Sequence, residues 1–110
     1  MAQSVLTAPM ATIGVPKEIK VDEQRVALTP DAVKELVTHG LEVRIQSGAG
    51  SGAGIDDEAF AAAGAQIVDQ EQAWGAHLVV KVKEPQPEEF RFLRNDMVLF
   101  TYLHLAAYPE

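Results

Sequence analysis

Apolar and polar residues change period along this chain, and each change marks an element. Two runs, Leu78-Val79-Val80-Lys81-Val82-Lys83 and Met97-Val98-Leu99-Phe100-Thr101-Tyr102-Leu103-His104, are short, nearly unbroken and rich in branched and aromatic residues. That pattern predicts strands buried on both faces, as in parallel sheets. Glu84-Pro85 closes the first run, because proline removes a ladder donor. Arg94-Asn95-Asp96 is a turn before the second, and His104 stands at its carboxyl end. Between them, Pro87–Arg94 has a proline suited to a first helical position, acids early and arginines late, which predicts a short helix. A right-handed crossover makes the two strands parallel. Lys83 and His104 then emerge on one sheet edge, the edge at which open α/β sheets bind ligands.

The same alternation runs through the rest of the chain. Thr12–Pro16 reads as a short strand, followed by a charged stretch without helical period, Lys17–Arg25, which predicts a loop. Thr29 is an N-cap with Pro30 and Asp31 behind it; Val33, Leu36 and Val37 form one apolar face, and Gly40 stops the helix. Leu41–Gln46 alternates with period two and predicts a strand with one wet face. Asp56 caps a helix through Phe60 that Gly64 closes, Ala65–Val68 is a further strand, and Asp69 with Gln72 resembles a capping box for a helix that holds Trp74 and ends at Gly75. Strictly alternating strands and helices predict an α/β fold, a doubly wound, mostly parallel sheet with helices on both faces, flavodoxin- or Rossmann-like.

Composition narrows the class. A chain of 110 residues with 47% hydrophobic content supports one compact core. Nine Lys and Arg against sixteen Asp and Glu give a net charge of −7, which argues against nucleic acid or an anionic membrane as partner. With no cysteine there is no disulfide or thiolate chemistry, and three scattered histidines show no metal-ligand spacing. No stretch has the roughly 18 apolar residues of a membrane span. Residues 1–11 carry no positive charge and lack the parts of a signal peptide, so they read as a flexible amino-terminal extension of a cytoplasmic protein. Leu105–Glu110 resembles the entry to a further helix, so the chain is expected to be a fragment of a longer polypeptide.

Candidate chemistry lies in two places. The glycine run Ser47–Gly54 fits G-x-G-x-x-A at positions 48, 50 and 53, with Asp69 about 20 residues on. The helix it leads into begins Asp56-Asp57-Glu58, three carboxylates where a pyrophosphate needs bare amides and a positive dipole, so a structural turn is expected. The other place is a trio of bases at strand ends, Arg25, Lys83 and His104. A guanidinium and an ammonium converging on one edge suit a small carboxylate, and an imidazole beside them can give and take a proton. The competing assignment pairs Arg25 with Glu18 or Glu23, pairs Lys83 with Glu84, and leaves His104 as a helix cap. Lys81 shares the face of Lys83 but lies farther from the edge. His39 and His77 read as a helix-end and a loop residue, and Trp74 and Phe60 as core.

Several ordered motifs, Ile13–Glu18, Glu23–Pro30, Gly64–Val68, Lys81–Pro85 and Leu99–Ala107, resemble the alanine dehydrogenase and pyridine nucleotide transhydrogenase family. The resemblance runs from about residue 12 to the end, and residues 12–110 are then the amino-terminal part of the family's substrate domain, with the nucleotide-binding domain absent. His104 in Tyr-Leu-His-Leu-Ala-Ala and the Lys-Val-Lys-Glu-Pro motif favour alanine dehydrogenase over the transhydrogenase α subunit and saccharopine dehydrogenase. The resemblance implies reversible NAD-dependent oxidative deamination of L-alanine to pyruvate and ammonia. It implies that Arg25 and Lys83 bind the substrate, that His104 is the acid/base, that NAD is held by the missing domain and no metal is used, and that the full-length enzyme is a homo-hexamer. A stand-alone module that binds a small carboxylate or a partner subunit is the competing expectation.

Overall fold

The computed structural model describes residues 11–102. Strands β1 (Thr12–Val15), β2 (Glu42–Gln46), β3 (Gln66–Val68), β4 (Leu78–Lys81) and β5 (Val98–Thr101) form one sheet in the order β3-β2-β1-β4-β5. Every neighbouring pair is parallel. The chain travels outward from β1 through β2 to β3, then crosses back to β4, so β1 and β4 flank the point where the winding reverses. In doubly wound sheets the ligand crevice opens there, beyond the carboxyl ends of the strands.

Local chemistry starts each helix where the sequence pattern puts it. The Thr29 hydroxyl accepts the Ala32 N–H at 3.2 Å ahead of α1 (Pro30–Thr38), and Asp56 accepts the Ala59 N–H at 2.9 Å ahead of α2 (Asp57–Ala62). Asp69 and Gln72 form a reciprocal capping box for α3 (Gln70–Trp74). Ile13, Val15, Val43, Ile45, Val80 and Val82 meet Val33 of α1 and Phe60 of α2 in the core on one face of the sheet. Helix α3 covers the other face, against β1 and β2. Gly14 lets it in: a Cβ there would stand 1.8 Å from the Ala73 carbonyl oxygen. Trp74 completes that side, stacked on Phe92 at 5.4 Å.

Two elements differ from the sequence expectation. The segment after β4 is a 3₁₀ helix, Pro87–Phe92, rather than an α-helix. Its Glu89 N–H bonds the Gln86 carbonyl at 2.7 Å, and the Glu89 carboxylate turns back to accept the Gln86 N–H at 2.9 Å, which tightens the single turn. The described part of the 97–104 run is an edge strand, not one buried on both faces. Val98 is 63% exposed and Phe100 51%, because the helices on their side of the sheet lie over β2 and β3. An apolar run specifies two apolar faces without specifying what covers each of them.

β4 is also shorter than its apolar run, and the reason is a carboxylate. Pro16 ends β1, and beyond it the buried Glu18 side chain takes over as acceptor for the next strand. Its Oε2 accepts the Val82 N–H at 2.8 Å, and its Oε1 accepts the Lys83 N–H at 3.3 Å and the Lys81 ammonium at 2.9 Å. Lys81 is 1% exposed; its Nζ lies 3.5 Å from Glu89 Oε2 and 6.0 Å from the centre of the Trp74 ring. Two buried carboxylates thus share one buried ammonium. Burial pushes the Glu89 carboxyl above its usual range, against the lowering effects of the Gln86 N–H and of Lys81.

Two outcomes follow from this packing. Gly14→Ala forces α3 off the sheet and should cost about 3 kcal/mol, lowering the thermal midpoint by more than about 10 °C; a shift under about 2 °C would mean that α3 does not rest on Gly14. A carboxyl whose folded pKa is raised gives stability that is complete below its unfolded pKa and is lost as pH rises through the folded value. Urea unfolding of Glu89→Gln and the parent chain, followed from about pH 5 to pH 9, should therefore show the variant gaining on the parent as pH rises.

Candidate functional site

The loop leaving β1 is polar because it crosses the mouth of the sheet, and three ties fix its path. Glu18 anchors its start to the end of β4. Lys20 pairs with Glu84 at 2.9 Å, and a turn closed by the Glu23 N–H and the Lys20 carbonyl at 3.0 Å places Asp22 at φ 69°, a left-handed conformation that aspartate tolerates. At its far end the Tyr102 hydroxyl, just beyond β5, donates to the Ala27 carbonyl. Burial, and then the Glu18 charge, holds the Tyr102 phenol above its usual range.

Arg25 stands on this loop with its side chain 59% exposed and its guanidinium gripped by Glu23: Nε donates to Oε2 and Nη2 to Oε1, both at 2.9 Å. The Glu23 carboxylate also accepts the Arg25 N–H at 2.8 Å. The Arg25 guanidinium holds the Glu23 carboxyl below its usual range, and the Lys83 charge adds to that lowering. Glu23 in turn pushes the Arg25 pKa further up. Two of the five guanidinium donors go to Glu23, which leaves the far edge of the fork for a second carboxylate. A cavity of about 110 Å³ opens beside it, lined by Lys17, Glu18, Glu23, Gln24, Arg25, Ala49 and Gly52. Lys17 is exposed and its main chain is fixed by the Gln46 amide oxygen at 2.9 Å, so it is a second cation of the cavity wall.

The glycine loop serves this site as a wall. Asp57 accepts the Gly48 N–H at 2.9 Å and the Ser47 hydroxyl at 2.8 Å, so an acid of α2 already occupies the first glycine amide of the run. Gly50 packs where a Cβ would meet Phe60 at 2.7 Å, and at Gly52 a Cβ would stand 2.5 Å from the Gln24 side chain. These glycines permit close approach to the core and to the arginine loop. With Asp56, Asp57 and Glu58 at the start of α2, the loop does not fit a dinucleotide pyrophosphate.

Of the residues singled out in the sequence, Arg25 grips Glu23, Lys83 follows β4 and is the last of the influences that lower the Glu23 carboxyl, and His104 lies outside the described residues. Arg25 takes the Glu23 partner named among its alternatives. Lys81 is a buried structural cation. His39 caps the end of α1, with Nδ1 at 2.8 Å from the Glu35 carbonyl, and His77 meets Thr12 across the start of β1. Trp74 and Phe60 are buried in the core. The sequence reading offers Glu18 only as a partner for Arg25 and does not single out Glu89 or Lys17. The available signal was Lys81: a lysine inside a strand expected to be buried requires an acid from elsewhere in the chain.

Comparison with known proteins agrees with this fold. The family model described as alanine dehydrogenase/PNT, N-terminal domain, matches residues 14–110. The alanine dehydrogenase of Bacillus subtilis is 57% identical over 99 residues, covering 89% of this chain and 26% of the relative. That of Mycolicibacterium smegmatis is 54% identical over 97 residues, covering 86% and 26%. A solved L-alanine dehydrogenase superposes with a TM-score of 0.82 at 52% identity, over 87% of this chain and 27% of that one. The transhydrogenase from Sinorhizobium meliloti superposes with a TM-score of 0.77 at 31% identity, over 82% and 27%. The chain spans about a quarter of the length of these relatives. It belongs to the alanine dehydrogenase/PNT family, as that family's amino-terminal domain.

Proposed function

We propose that this chain is the substrate-binding segment of an NAD-dependent L-alanine dehydrogenase, a cytoplasmic homo-hexamer in its complete form, which interconverts L-alanine with pyruvate and ammonia. The observation that supports the reading is the half-used Arg25 fork beside a cavity on the loop that leaves β1 at the reversal point of the sheet, in a chain 57% identical to an alanine dehydrogenase. The free edge of the Arg25 fork takes the substrate carboxylate by paired hydrogen bonds, and Lys83 holds the carbonyl oxygen as a point charge. His104 gives and takes the proton as water adds to the imine and ammonia departs. Tyr102, two residues earlier, already touches the arginine loop through Ala27, which supports the approach of that strand end to Arg25. NAD belongs to the longer polypeptide, since the glycine loop here does not fit it. Residues 1–11 are an extension outside the substrate domain.

The 110-residue chain alone should reduce no NAD with L-alanine above background, whereas the longer polypeptide that carries it should. Turnover by the short chain would overturn the division of labour. In the longer polypeptide, Arg25→Ala should raise KM for pyruvate by about 10- to 100-fold, and His104→Gln should lower kcat by about 10²- to 10⁴-fold with little change in KM. Parental kinetics in both variants would mean that Arg25 and His104 do not carry the substrate site.

A further inference from the structure

We propose that Glu18 is a positioning residue that fixes Arg25 and Lys83 relative to each other. The proposal rests on the dehydrogenase reading for its kinetic consequence but not for its structural one. A single buried carboxylate holds two things at once. It belongs to the loop that carries Arg25, and it accepts the main-chain N–H of Lys83 itself at 3.3 Å and that of Val82 at 2.8 Å. Where the Lys83 side chain departs from the backbone is therefore set by the same group that starts the arginine loop.

The surroundings keep this carboxylate in place. From β4, the Lys81 ammonium grips Oε1 at 2.9 Å; from the 3₁₀ helix, Glu89 approaches Lys81 at 3.5 Å; from α3, the Trp74 ring lies under the same ammonium. Beyond β5, the Tyr102 phenol feels the Glu18 charge and closes the loop's far end on Ala27. Lys20 and Glu84 pair above, at the rim. The Glu18 side chain is 2% exposed, so water offers Val82 and Lys83 no easy substitute for it. Glutamine there keeps the shape but brings an NH₂ group toward three donors, and aspartate keeps the charge but is one methylene too short to reach all of them.

The test has a structural and a kinetic half. The chain has no cysteine, so Val21→Cys and Glu88→Cys, both exposed and outside the site, accept spin labels specifically. Double electron–electron resonance on the 110-residue chain should give one narrow distance in the parent, a broad distribution in Glu18→Gln, and an intermediate one in Glu18→Asp, which serves if the glutamine variant fails to fold. A narrow parental distance in a folded Glu18→Asp or Glu18→Gln chain overturns the proposal. In the longer polypeptide, both Glu18 variants should raise KM for pyruvate about 10-fold or more, with Glu18→Asp the milder. Arg25→Ala is the control. If it raises KM and the Glu18 variants do not, the positioning role is wrong. If Arg25→Ala itself changes nothing, the substrate reading fails, and the label distances alone decide what Glu18 does.

Discussion

A buried carboxylate standing in for a strand is the constraint on which the rest of this structure depends. β1 stops at Val15 because Pro16 has no N–H to offer a ladder, yet β4 still presents the N–H groups of Val82 and Lys83 on that side. A buried amide without a partner costs free energy comparable to a lost hydrogen bond. Glu18 accepts both, and its charge would be prohibitive at that depth without the Lys81 ammonium beside it. Removing Lys81 leaves an uncompensated buried charge, whose cost is about 3–5 kcal/mol.

The second carboxylate, Glu89, shows how the arrangement is balanced. Lys81 neutralises Glu18, so a charged Glu89 would leave one net negative charge in a site closed to water. Burial resolves this by raising the Glu89 pKa, while its other oxygen keeps the bond to the Gln86 N–H that shapes the 3₁₀ helix. The same side chain thus connects the turn before β5 to the strand that carries Lys81.

The loop that results is exposed but not free. Its start is bound at Glu18, its middle at Lys20 and Glu84, and its end at Tyr102 and Ala27, while Gly52 brings the glycine loop against Gln24. Held this way, Arg25 keeps two donors on Glu23 and turns the rest of its fork outward. A loop fixed in this way sets the geometry of the proposed carboxylate site before the ligand arrives.

Much of this was legible in the residues. Period changes and caps at Thr29, Asp56 and Asp69 are local, set by side chains a few positions apart, and they placed the helices and the parallel sheet. The acids at the start of α2 by themselves mark the glycine loop as a turn. Chain order alone puts Arg25 after β1 and Lys83 after β4, two strands that are neighbours in the sheet. What only the tertiary structure decided was long-range: that Glu18 reaches Lys81 across 63 positions, that Glu89 joins them, and that β5 forms an edge with Val98 and Phe100 uncovered. Periodicity states which faces are apolar; it carries no information about which partner a buried charge finds or what lies over a face, because those depend on where distant segments come to rest.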